Sequence, residues 1–149
     1  MADQLFSIAN LVALAGWVLL ILLPRRSWVT RTVIVSIVLL FASAYGAIIA
    51  ARWAGRSGGF SSLPAVAALF ADPWLLLAGW IHYLAFDLLV GRWETIEAQH
   101  RGIPHLAVVP CLFLTFMFGP AGWLAYVTLR AVHARSIATK PFSAPQQPA

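Results

Sequence analysis

The chain has 149 residues, 61% of them hydrophobic and 10% charged, and a mean hydropathy of +0.83. This composition excludes an ordinary water-soluble domain and makes lipid the expected solvent. A net charge of +5 does not signal nucleic acid, because the basic residues are spread over short connections and the tail, where membrane headgroups are the fitting partner. Cys111 is the only cysteine, which excludes an intramolecular disulfide.

The expected fold is all-α, an integral membrane bundle of four transmembrane helices over residues 1–132 with a disordered tail, 133–149. The first span, about 5–23, is uncharged and stops at Pro24-Arg25-Arg26. It has no basic leader and no small-residue cleavage site, so it reads as a permanent span and not a signal peptide. The second span covers about 32–51 and ends at the interfacial pair Arg52-Trp53. Arg56-Ser57-Gly58-Gly59 then gives a flexible turn, and Leu63 to Phe70 is too short to cross a bilayer, predicting a short interfacial helix.

The third span, about 74–90, lies between Trp74 and Trp93 and carries His82 and Asp87. The polar run Glu94 to Gly102 follows, and Pro104-His105 opens a fourth span, about 106–129. Within that span, Pro110 and Gly119-Pro120-Ala121-Gly122 predict a kink or break. Four spans place both chain ends on one side and divide the basic residues five against five, so the positive-inside rule gives no orientation. A chain this small is also a candidate for self-association into a homo-oligomer.

Ionisable groups within hydrocarbon are costly enough to be functional candidates by default, which singles out His82 and Asp87. The plainer alternative has His82 bonding a neighbouring helix and Asp87 pairing with Arg92 or solvent. Five residues apart on a helix, the two side chains diverge by about 140°. Asp87 and Glu94, seven apart, share a face if the helix continues through Gly91. Glu97-Ala98-Gln99-His100 has the Glu-x-x-His spacing of di-iron bundles, but a solvated charged cap explains it equally well. A metal, if held, would draw on His82, Asp87, Glu97 and His105, donors suited to iron or zinc. Asn10 either orients His82 or Asp87, or bonds a neighbouring helix. The seven Trp and nine Phe suit a flat conjugated ligand, although aromatic belts also account for them. Asn10, Trp80, Tyr83 and Phe86 are the candidate substrate contacts.

The run Gly79-Trp80-Ile81-His82-Tyr83-Leu84-Ala85-Phe86-Asp87-Leu88-Leu89-Val90-Gly91-Arg92-Trp93 resembles the signature of the ABA4-like membrane proteins. The resemblance continues through Gly102-Ile103-Pro104-His105, Pro110-Cys111-Leu112 and Phe118-Gly119-Pro120-Ala121-Gly122, and at the front through Asn10, Trp17 and Leu19 to Pro24. The plant member that names the family is implicated in forming neoxanthin from violaxanthin, so the resemblance implies a membrane enzyme acting on a carotenoid. Lacking the plant transit peptide, the chain is expected in a bacterial cell (inner) membrane. The plant-type isomerisation implies His82 as base and Asp87 as acid. Oxidative cleavage of a carotenoid such as β-carotene towards retinal instead implies an iron or zinc site on His82, Asp87, Glu97 and His105. A third possibility is a non-catalytic protein that binds carotenoid or lipid.

Overall fold

The computed structural model describes residues 1–138, and side chains as far as Arg135. The described residues form α1 (Ala2–Leu22), a π-helical turn (Val29–Val33) leading into α2 (Ile34–Arg52), a short α3 (Leu63–Leu69), α4 (Pro73–His100), α5 (His105–Phe118) and α6 (Pro120–Ala138). Three of them, Ala2–Leu22, Val29–Arg52 and Pro73–His100, are long and apolar enough to cross a membrane. The chain is therefore an all-helical membrane protein.

Local chemistry sets the ends of α4. The Trp74 N–H donates to Asp72 Oδ1 at 2.7 Å, and Pro73 takes the first helical position, where a missing N–H costs nothing. The helix does not stop near Val90 as its apolar run predicts. It continues through Gly91, against which the Trp17 ring packs in the space a side chain would fill, and reaches His100 after 28 residues, about 42 Å at 1.5 Å per residue.

The first and fourth helices run parallel. Asn10 meets Trp80 near their starts, and the Gln99 amide donates to the Pro24 carbonyl at 2.6 Å near their ends. The second helix runs the other way: the Arg92 guanidinium donates to the Thr30 carbonyl in the π-helical turn, while Arg52 sits 5.1 Å over the Trp74 ring. The short α3 starts at Ser62, whose hydroxyl accepts the Ala65 N–H, and lies where the sequence predicts a short helix.

The expected fourth span is not one helix but a hairpin. After α5 the chain turns at Gly119, whose φ of 46° suits only glycine, and Pro120 begins α6 without an N–H to satisfy. From there α6 returns along α4. Gly119 lies against Asp87, Tyr126 against Trp93 and Arg130 against Glu97, an offset of 32 to 33 residues throughout. Backbone pairing survives the turn, with Gly119 N–H donating to Thr115 O at 2.9 Å and Trp123 N–H to Gly119 O at 3.2 Å, as a non-aqueous setting demands.

Because α6 turns back, its far end lies on the side of the α1–α2 connection and the α4 C-terminus, opposite the N-terminus. Four full spans would instead have brought the end of the last one to the side of the N-terminus. The return of α6 also breaks the tie in basic charge. Arg25, Arg26, Arg31, Arg92, Arg101, Arg130 and Arg135 lie towards that side, and Arg52 and Arg56 towards the other, seven against two. Helix α6 runs to Ala138, past the point where the tail was expected to start, and residues 139–149 lie outside the described residues.

Candidate functional site

The α5–α6 hairpin covers one face of α4 and buries two carboxylic side chains there. Asp87 is 8% exposed and Glu94 is fully buried. They lie two turns apart on one stripe, as their spacing of seven predicts for an uninterrupted helix. The Thr115 hydroxyl, at the lower end of α5, meets both Glu94 oxygens at 3.0 and 3.2 Å. Thr115 itself is fully enclosed because α6 crosses α5 at Gly122, where even a Cβ would fall 2.0 Å from the Thr115 nitrogen.

Asp87 sits over the hairpin turn. A Cβ on Gly119 would come within 2.9 Å of Asp87 Oδ1, so the tip of the hairpin approaches the carboxyl only because it is glycine. Among the described residues, the buried side-chain oxygens with no hydrogen-bond partner are Asp87 Oδ2 and Tyr126 Oη. Neither Asp87 nor Glu94 has a cationic partner there. Arg92, the partner first expected for Asp87, gives its Nε–H to Thr30, and Arg101 and Arg130 both pair with Glu97, at 2.6 and 3.3 Å.

Beside this cluster is an open cavity of about 320 Å³ between α1, α4 and α5, lined by Asn10, Leu14, Trp80, Tyr83, Leu84, Phe116 and Met117. Three of the candidate substrate contacts therefore come together. The Trp80 indole N–H donates to Asn10 Oδ1 at 2.7 Å, so Asn10 orients Trp80 and neither His82 nor Asp87. The Tyr83 hydroxyl reaches the Phe116 carbonyl at 3.4 Å. Tyr83 is one turn before Asp87, so the cavity wall and the buried carboxyl share a helix face.

The other expected residues lie elsewhere. His82 is on the opposite face of α4, stacked 4.5 Å from the exposed Phe86 ring and 5.6 Å from Tyr45. It lines a second cavity of about 410 Å³ between α2, α3 and α4 with Trp53, Phe60 and Phe70. The divergence computed from helix geometry is realised, and His82 and Asp87 do not converge on one reacting atom. His105 Nε2 lies 2.9 Å from the Ile21 carbonyl, and Glu97 is held by its two arginines.

His82, Asp87, Glu97 and His105 are thus not brought together, and no group of three or more His, Cys, Asp or Glu among the described residues is placed to hold a metal ion. The residues do not fit an iron or zinc centre, and no step is derived through one. The spacing of seven puts Glu94 on the Asp87 face once the helix continues through Gly91, as it does, and not in the solvated cap that was the alternative. Thr115 and Tyr126, a threonine and a tyrosine inside an apolar run, carry no such signal.

No curated protein and no solved structure matches the chain. A family model described as ABA DEFICIENT 4-like matches residues 4–126, which takes in every residue of the buried cluster and its cavity. The chain belongs to the ABA4-like family.

Proposed function

We propose that this protein is a membrane enzyme that isomerises a carotenoid, opening a ring epoxide to an allene, with Asp87 as the proton-transferring group. The observation that carries the reading is the Asp87 carboxyl, buried with one oxygen unpartnered, one turn of α4 beyond Tyr83, which lines an open aromatic cavity. An uncompensated carboxyl in hydrocarbon is too costly to be retained for packing alone. A polyene dissolved in the bilayer enters such a cavity sideways, and Trp80, Tyr83 and Phe116 offer flat faces for it.

The chemistry needs only proton movement. A proton passes to the epoxide oxygen as its bond to the ring carbon nearer the chain breaks, and that electron pair stays on the oxygen as a tertiary alcohol. The neighbouring vinylic carbon loses a proton, and its C–H pair becomes the second double bond of the allene. Atoms and electrons balance without an oxidant. A single carboxyl can serve both transfers, one oxygen donating and the other accepting, so the base need not be His82.

The test is pigment analysis after coexpression in cells that make an epoxy-xanthophyll and, separately, in cells that make β-carotene. An allenic product of unchanged mass in the first host supports the reading. Retinal-type fragments in the second would indicate cleavage. Coloured purified protein with unaltered pigments would indicate binding alone, and either of these results overturns the isomerase.

A further inference from the structure

We propose that the seam between α4 and α6 is a proton path joining Asp87 to the membrane face that carries Glu97, Arg101 and Arg130. The path does not depend on the isomerase reading: that reaction hands Asp87 back a proton at each turnover, and the path only keeps the carboxyl in exchange with water at that face.

The argument starts from the two orphaned oxygens. Native interiors leave few buried polar atoms unpaired, and each unpaired one needs an explanation. Asp87 Oδ2 and Tyr126 Oη are those atoms among the described residues, and both lie on this one seam. Asp87 is more than nine-tenths buried and Tyr126 completely so. Glu94 follows Asp87 by two turns of α4 and lies level with Tyr126, fully buried and fixed by Thr115. Tyr126 packs edge-on against Trp93, ring centres 5.3 Å apart, one turn of α6 before Arg130, which pairs with the partly exposed Glu97. Protic groups therefore follow one another in the order Asp87, Glu94, Tyr126, Glu97.

From Asp87 to Glu97 is ten residues of α4, about 15 Å of rise. Side chains with proton-carrying oxygens and a few waters bridging the two orphaned atoms span that length. The other elements packed on the seam bring no charged side chain: α1 contributes Trp17 and Leu20, and α5 contributes Val108, Leu112, Thr115 and the thiol of Cys111, which faces Glu94. Below Asp87, the Gly119 turn lies against its Oδ1, and Tyr83 stands between the carboxyl and the open aromatic cavity. The continuous series of protic groups runs the other way, towards Glu97.

The experiment is infrared spectroscopy of the full-length protein in lipid nanodiscs, following the shift of carboxylic C=O bands after transfer from H2O to D2O. It needs neither substrate nor turnover, so its outcome is separate from that of the pigment test. The band lost in Asp87→Asn identifies the inner carboxyl. In wild type that band shifts promptly. In Tyr126→Phe, which removes one hydroxyl and keeps the ring contact, its exchange slows on the order of tenfold, the factor one protein hydrogen bond is worth. Glu94→Gln gives a similar slowing, while Thr95→Val, whose hydroxyl bonds only the Gly91 carbonyl of its own helix, exchanges as wild type does. Unchanged exchange in both Tyr126→Phe and Glu94→Gln overturns the path, as does the absence of any exchangeable band that depends on Asp87.

Discussion

The two faces of α4 solve the same problem in opposite ways. Towards α2 and α3, His82 stands exposed, stacked on Phe86 beside a wide aromatic cavity. Towards the α5–α6 hairpin, Asp87 and Glu94 are enclosed by close-packed backbone, and one of the two is tied to a threonine. The imidazole is left at the surface among aromatic rings, whereas the carboxyls are shielded by protein. Burial with an unfilled hydrogen-bonding capacity, and not the mere presence of an ionisable group in a span, is what sets the Asp87 face apart from the His82 face.

The sharpest way to break this contrast is activity. Asp87→Asn keeps the shape and removes the proton, so product formation in the coexpression assay should fall by about 10²-fold or more. His82→Leu should leave most of it. The reverse pattern would move the site to the other face of α4.

Next in size is the hairpin itself. At Gly122 the two helix backbones touch, and an added methyl meets Thr115 main chain, not a flexible side-chain end. Gly122→Ala should cost about 3 kcal/mol or more, the upper end of overpacking, read as a lower unfolding midpoint in detergent. A stable Gly122→Ala variant would mean that α5 and α6 do not meet there.

Thr115→Val tests the Glu94 anchor more gently. It leaves a buried carboxyl without its donor, a loss of about 1–3 kcal/mol, and Thr115→Ser should recover most of it. The smallest effect belongs to the lipid-facing side, where His82→Leu should shift stability by about 0.5 kcal/mol or less.

Much of this architecture is readable from residues alone. Hydropathy and the stops at Pro24 and Arg52 locate α1 and α2, and the helical arithmetic separating His82 from Asp87 holds in three dimensions. Gly119-Pro120 is recognisable as a break. What composition does not reveal is that the break reverses the chain. A kink and a hairpin share the same glycine and proline, and only the docking of Tyr126 on Trp93 and Arg130 on Glu97 decides between them. The same reversal buries Glu94, which by its polar neighbours reads as a solvated cap. Asn10 illustrates the converse: its need for an interhelical partner is legible, but the partner, the Trp80 indole, lies 70 residues away.

The enclosure of Asp87 and Glu94 depends on α6 returning to the side from which α5 enters. Single cysteines at positions 27, 57 and 134, in a Cys111→Ser background, can be labelled with a membrane-impermeant maleimide in sealed vesicles of known orientation. The account predicts that Ser27→Cys and Ala134→Cys react from the same side and Ser57→Cys from the other. Labelling of Ala134→Cys together with Ser57→Cys would mean that the last segment crosses the membrane, and the buried carboxyl cluster would lose the element that encloses it.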